Sequence, residues 1–182
     1  MTVPMPRPRL VLVGPPASGK TTIGTAVSRA LGTAFRDTDR DVEVEAGCTV
    51  AEVFIDAGEP YFRELEQRAV ARALAEHEGV LALGGGAVTS AASRKLLVGY
   101  GSRGGVVVWL DVDLHSAAKR VGLSRDRPLL SVNPRAMLRT MLEARGPLYA
   151  EVATHTVATG GREPDDVLAE VLGLLPGAEA GR

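Results

Sequence analysis

One cysteine in 182 residues, Cys48, rules out an internal disulfide. The three histidines, His77, His115 and His155, stand in different segments, so no zinc-type spacing arises. Aromatic residues make up only 4% of the chain, too few for the stacking platforms that bind single-stranded nucleic acid. Neither charge sign dominates: 21 basic and 22 acidic side chains leave a net charge of −1. No broad field therefore advertises a nucleic acid or an anionic membrane as partner. No stretch approaches the roughly 20 apolar residues of a membrane span, and the apolar run after Arg7 and Arg9 is too short for a signal-peptide core. The expectation is a cytoplasmic protein. With no clear apolar stripe left over for a dimer, a monomer is expected.

What the chain does have is Gly14-Pro15-Pro16-Ala17-Ser18-Gly19-Lys20-Thr21, placed between the apolar run Leu10–Val13 and the helical pattern that starts at Thr22. This is the phosphate-loop motif G-x-x-x-x-G-K-[ST] in the strand–loop–helix setting it requires. Glycine lets backbone N–H groups turn inward around a polyphosphate without Cβ clashes. The helix that follows adds its unpaired N–H groups and the positive end of its dipole. Lys20 supplies a point charge for the β- and γ-phosphates, and Thr21 a hydroxyl ligand for Mg²⁺. The motif predicts binding of a nucleoside triphosphate.

Hydrophobic periodicity predicts strands at Arg9–Val13, Ala34–Arg36, Val80–Leu83, Gly104–Leu110 and His155–Ala158. Helices are expected over about Lys20–Leu31, Asp39–Glu45, Thr49–Asp56, Glu59–Glu78, Ser90–Val98, Leu114–Val121, Pro134–Val152 and Pro164–Leu174. Gly32 fits a left-handed helix cap. Thr49 and Glu52 have capping-box spacing, and Asn133-Pro134 reads as a cap followed by proline at the first helical position. Residues 1–8 and 176–182 read as loose termini, and the chain as one domain with its core at about 9–175. Strand–helix alternation with β-branched runs implies an α/β fold, a parallel sheet in three layers with helices on both faces. Ligands of such sheets collect at the carboxyl ends of strands, where the phosphate loop, Asp37–Asp39 and Gly84–Gly86 all lie.

A phosphate loop alone does not separate kinases from GTPases or motor ATPases. The N-K-x-D string of guanine readers is missing, and a motor needs a larger body. A small-molecule kinase fits best. After the loop come Asp37-Thr38-Asp39, Phe62-Arg63-Glu64-Leu65-Glu66, Gly84-Gly85-Gly86, Arg127-Pro128-Leu129-Leu130 and Arg145-Gly146-Pro147-Leu148-Tyr149. In that order the chain resembles the shikimate kinases over nearly its whole length. The resemblance implies a five-stranded parallel sheet of order 2-3-1-4-5, substrate-binding helices at about 39–78 and a lid at about 122–132. It implies transfer of the ATP γ-phosphoryl group to the 3-hydroxyl of shikimate, in the route to chorismate and aromatic amino acids, with Mg²⁺ as cofactor.

Site roles follow from the same resemblance. Arg63 and Arg145 match the family's carboxylate-binding arginines, a task for which a planar guanidinium suits better than lysine. Alone, Arg63 would read as a helix-face arginine paired with Glu59 or Glu66. Asp39 matches the aspartate beside the attacking hydroxyl, although it could also cap the helix that follows. Glu66 matches a residue that orients Arg63, and Gly84, Gly85 and Gly86 would bring bare backbone and its N–H groups against the ring. Phe54 and Phe62 resemble the pocket's apolar wall, yet as isolated residues they would more often be core. ATP would meet Gly14, Pro15, Pro16, Ala17, Ser18, Gly19, Lys20, Thr21 and Thr22, with Arg120 and Pro164 bordering the adenine. Lys20, Asp39 and Arg127 would form the catalytic set, Arg127 swinging over the transferring phosphoryl group from the lid. Arg125 has no assigned role.

For the metal, Val106–Asp111 has the pattern of a metal-holding strand, which nominates Asp111. The resemblance instead nominates Asp37, acting through water beside Thr21, and Asp111 is expected to begin the next helix as a charge on its dipole. Two rivals remain: a related kinase such as a gluconate kinase, and a catalytically silent nucleotide-binding module.

Overall fold

A computed structural model of the chain describes residues 8–123 and 134–177. Its five strands are β1 (Leu10–Val13), β2 (Phe35–Asp37), β3 (Val80–Ala82), β4 (Val107–Asp111) and β5 (His155–Ala158). All pairings are parallel and the order is β2-β3-β1-β4-β5, as the resemblance implied. β1 is central, so both of its faces are covered. That explains why it reads as an unbroken apolar run rather than an alternating one.

The helices are α1 (Lys20–Ala30), α2 (Thr38–Ala46), α3 (Val50–Asp56), α4 (Gly58–Glu76), α5 (Ala91–Ser102), α6 (Leu114–Leu123), α7 (Pro134–Val152) and α8 (Pro164–Gly173). On one sheet face Leu10, Leu12, Val108 and Leu110 pack with Ile23 and Val27 of α1 and Val167 and Val171 of α8. On the other, Val11, Val13, Leu81 and Val107 meet Val70 of α4, Leu97 of α5, and Tyr149 and Val152 of α7. Each such aliphatic side chain taken out of water stabilises the fold by about 1.5–3 kcal/mol.

A third core, separate from the sheet, joins α2, α3 and α4 through Val42, Val53, Phe62, Leu65 and Ala69. Phe62 is 4% exposed and its ring lies 4.5 Å from that of half-buried Phe54. These aromatics are core to the helical lobe that carries Arg63 and Glu66.

Some boundaries differ from expectation for physical reasons. The helix expected to end near Val98 runs to Ser102, through Gly99 and Gly101. Two interior glycines cost about 1 kcal/mol each, but Leu97 and Tyr100 are buried against the sheet, and the Tyr100 hydroxyl donates to the Pro8 carbonyl at 2.7 Å. Tertiary contacts outweigh propensity there.

The caps also differ. α2 begins at Thr38, and its N-cap is Asp37, whose carboxylate accepts from the Asp39 N–H at 3.0 Å. The cap role considered for Asp39 therefore belongs to Asp37. Asp111 does not begin a helix: it is the last residue of β4. The carboxylate that accepts an N–H at the start of α6 is Asp113, bonded to Ser116 at 2.9 Å. Thr49 and Glu52 do form the expected capping box.

The expected lid beyond Leu123, with Arg125, Arg127 and the Asn133 cap, lies outside the described residues. Among the described residues no helix is long and apolar enough to cross a membrane.

Candidate active site

β1 delivers the chain to Gly14, where a side chain is impossible: a Cβ would sit 2.7 Å from the Leu110 carbonyl and 2.8 Å from Ser18 Oγ. The loop turns through Ala17 and Gly19, both at positive φ. Gly19 is the N-cap of α1 and makes no side-chain cap, so the first N–H groups of the helix keep their affinity for an anion. Lys20 Nζ donates to the Gly14 and Pro15 carbonyls at 2.8 and 2.9 Å, folding the loop around its own ammonium. Ser18 Oγ is buried without a hydrogen-bond partner, an orphaned polar atom of the kind an anion cradle contains.

Asp37 stands at the carboxyl end of β2. One carboxylate oxygen caps α2, and the other accepts a long 3.4 Å bond from the Thr21 hydroxyl. Burial pushes its carboxyl above the ordinary range, opposed by the Asp39 N–H and then by the charge of Lys20. The two residues expected to serve a metal are thus neighbours across the start of α1.

On the other side of the loop, Arg120 of α6 donates to the Ala17 carbonyl at 2.9 Å and to the Thr159 carbonyl at 2.7 Å. With Ser18, Gly19, Thr22, Arg162 and Pro164 it lines a cleft of about 170 Å³. Arg120 and Pro164, expected at the base, therefore share one cleft with the loop. The partner that sequence reasoning missed is Thr159, buried just beyond β5, whose hydroxyl also accepts from Arg120 and donates to the Asp111 carbonyl.

The second half of the site is built around the turn after β3. A Cβ on Gly84 would collide with Asp39 Oδ1 and lie 2.8 Å from Glu66 Oε1. One on Gly86 would collide with the Arg63 guanidinium, and one on Gly85 would lie 2.9 Å from Pro16 of the phosphate loop. The space that Cβ atoms would need at the three glycines is taken by Asp39 and Glu66, Pro16 and Arg63. Side chains from α2 and α4 converge there, and Arg145 of α7 joins them by donating to the Gly85 carbonyl at 3.1 Å.

The Gly84 N–H, expected to face a ligand, is already bonded to Thr38 Oγ1 at 2.9 Å. Backbone donation from this turn is narrowed to Gly85 and Gly86. Thr38, wholly buried, carried no sequence signal beyond its place between two aspartates.

Arg63 makes both ion pairs considered for it. Nη1 donates to Glu66 Oε2 at 2.6 Å, while Nε and Nη2 donate to Glu59 Oε1 at 3.2 and 3.0 Å. The guanidinium also lies 5.2 Å from the centre of the Phe62 ring. A surface-type pairing and a place in the site are therefore compatible. Glu66 is 2% exposed, and its second oxygen has no partner. Burial pushes its carboxyl up, against the pull of Arg63 and Arg145. Two guanidiniums, one buried carboxylate and Asp39 therefore face one another across a glycine turn that abuts a phosphate loop.

That arrangement suits a small polar acceptor with a carboxylate, held next to a nucleoside triphosphate. The family model described as "SKI: Shikimate kinase" matches residues 16–176. The chain belongs to the shikimate kinase family. A shikimate kinase of Frankia casuarinae is 56% identical over 169 residues, which cover 91% of this chain and 73% of that protein. Among solved structures, the shikimate kinase from Acinetobacter baumannii in complex with shikimate matches with a TM-score of 0.84 and 37% identity, covering 92% of each chain. A gluconokinase from Sinorhizobium meliloti matches with a TM-score of 0.56 and 21% identity, covering 93% of this chain and 91% of that one. At that identity it shares the fold alone. The family match therefore weighs against the gluconate kinase rival, and it spans both halves of the site.

Proposed function

We propose that the chain transfers the γ-phosphoryl group of ATP to the 3-hydroxyl of shikimate, giving shikimate 3-phosphate in the pathway to chorismate. The observation that carries this is the convergence of Asp39, Arg63, Glu66 and Arg145 on Gly84–Gly86, with Gly85 packed on Pro16 of the phosphate loop. That contact supports an acceptor pocket beside a triphosphate cradle, as direct transfer requires. The whole described chain acts as one kinase unit, with the α2–α4 lobe as its acceptor side.

Arg63 and Arg145 bind the shikimate carboxylate, and Glu66 orients Arg63. Asp39 holds the substrate hydroxyls and takes or orients the proton of the attacking one. The hydroxyl oxygen bonds to the γ-phosphorus as the bond to the ADP oxygen breaks, with no covalent enzyme intermediate. Residues 14–22 cradle the phosphates, Lys20 exchanging its loop carbonyls for phosphate oxygens, while Arg120 and Pro164 flank the adenine. Arg127, outside the described residues, is assigned the transferring phosphoryl group.

The residues also fit Mg²⁺. Among the described residues no three His, Cys, Asp or Glu side chains cluster into a metal cage. Mg²⁺ characteristically needs none, taking one or two protein ligands together with phosphates and waters. Thr21 would ligate it directly and Asp37 through water. Bound there, the cation would neutralise charge on the β- and γ-phosphates.

With MgATP, the purified protein should release ADP when shikimate is added and very little otherwise. Comparable turnover with gluconate or AMP, or ADP release indifferent to shikimate, would refute the assignment.

A further inference from the structure

Tyr149 closes the motif that begins at Arg145, yet none of the roles above uses it. It follows Arg145 by one turn and a fraction on α7, so both side chains lie on one helix face. The Tyr149 hydroxyl donates to the Gly85 carbonyl at 2.6 Å, and Arg145 Nη1 donates to the same oxygen at 3.1 Å. A carbonyl oxygen has two lone pairs and can accept both. The ring is 1% exposed and stacks on Trp109 of β4, the centroids 5.8 Å apart. Burial pushes the hydroxyl up to about 12, so it remains a donor throughout the pH range of an assay.

Resting on the reading of shikimate as the acceptor, we infer that Tyr149 is a positioning residue for substrate binding. A bound carboxylate that draws on Arg145 Nη1 competes with the bond made to Gly85. Gly85 is half-buried and packed against Pro16, and a carbonyl covered by substrate and stripped of its donors is costly. Tyr149 removes that cost. Its short bond stays when the guanidinium leaves, so Arg145 is released to the substrate and the turn that separates acceptor pocket from phosphate loop keeps its shape. Without the hydroxyl, Arg145 would be the carbonyl's remaining side-chain donor, and a shikimate carboxylate that took Nη1 would orphan the carbonyl.

Tyr149→Phe keeps the ring and its stack on Trp109 while deleting one oxygen. It should raise KM for shikimate by about five- to 100-fold, the equivalent of one acceptor left unpaired beneath the bound substrate. KM for ATP and kcat should stay within about twofold, because the phosphate loop keeps its own bonds. Trp109→Phe is the control: it disturbs the same packing but leaves the Tyr149 bond, so KM for shikimate should hold within about twofold. A shikimate KM unchanged by Tyr149→Phe overturns the inference. So does an equal rise for Trp109→Phe, a parallel rise in KM for ATP, or loss of folding in Tyr149→Phe, each of which would make the tyrosine merely structural. Failure of the wild type to use shikimate at all is a different result and refutes the reaction rather than this role.

Discussion

The nucleotide end and the acceptor end of this cleft are built in opposite ways. The cradle is a single stretch, Gly14 to Thr22, whose working groups are largely backbone N–H groups and two side chains at the start of α1. The acceptor end draws Asp39 from α2, Arg63 and Glu66 from α4, Gly84–Gly86 from the turn after β3, and Arg145 from α7. Backbone cradles tolerate many side chains, since a loop and a helix start suffice. Charged pockets depend on relative placement: Asp39 of α2 and Glu66 of α4 both reach Gly84 only while the α2–α3–α4 core holds. Loss of one side chain should therefore separate the two ends, damaging acceptor binding and leaving the nucleotide in place.

The sharpest division runs between two aspartates that are neighbours in sequence. On the role proposed for Asp39, Asp39→Asn removes the charge that would accept or orient the hydroxyl proton, a contribution of about 10²–10⁴ in rate. It should abolish most shikimate phosphorylation and leave MgATP affinity nearly intact. Asp37→Asn should instead raise the Mg²⁺ concentration for half-maximal rate, with shikimate binding little altered. Separate titrations of Mg²⁺ and shikimate on both variants decide it. Interchanged phenotypes would interchange the roles, and a metal defect in Asp111→Asn alone would restore the rejected strand-end ligand.

Arg63→Ala leaves buried Glu66 without its ion-pair partner and, on the proposed role, the substrate carboxylate with one guanidinium fewer. Removing one partner of a desolvated pair costs about 2–5 kcal/mol. kcat/KM for shikimate should fall by roughly 30- to several-thousand-fold, with ATP affinity preserved. A loss below about threefold would reduce Arg63 to the surface pairing that Glu59 alone could explain.

Gly84→Ala tests whether the glycine turn is space reserved for carboxylates. The methyl group would push on Asp39 and Glu66, side-chain ends that can move, so the fold should survive. Displacing them by a fraction of an ångström to an ångström should lower kcat/KM for shikimate by about 10- to 100-fold. Unchanged kinetics would show that the turn has room after all.

The smallest effect concerns stability. Burial raises the Glu66 carboxyl above its usual 4.5. The folded protein therefore binds that proton more tightly than the unfolded chain. The associated stability is fully present below the usual value and is lost as pH rises through the raised one. Glu66→Gln should thus unfold a few degrees higher than wild type at neutral pH, about the shift of a 1 kcal/mol gain. The gap should close when both are heated below about pH 4. Shikimate affinity should fall in the same variant, stability rising as function is lost. A lower Tm at neutral pH would mean that the Arg63 pair outweighs the cost of burying the charge.

Much of this molecule was legible from residue order alone. The loop from Gly14 to Thr21 carries its meaning because its groups are consecutive and its chemistry is backbone chemistry. The apolar runs at Leu10–Val13 and Val107–Leu110 announce strands covered on both faces because periodicity is a local property. Arg63 and Arg145 could be nominated through the family pattern, and the structure brings both against the glycine turn. Which carboxylate caps which helix was another matter. Asp37 rather than Asp39 caps α2, and Asp113 rather than Asp111 bonds the start of α6. The Gly84 N–H goes to Thr38, Thr159 holds Arg120, and Tyr149 reaches Gly85 across 64 residues of chain. Those choices turn on hydrogen-bond distances between segments far apart in the chain. A shift of about 1 Å makes or breaks such a bond, and only the packing of the helices on the sheet sets positions that finely.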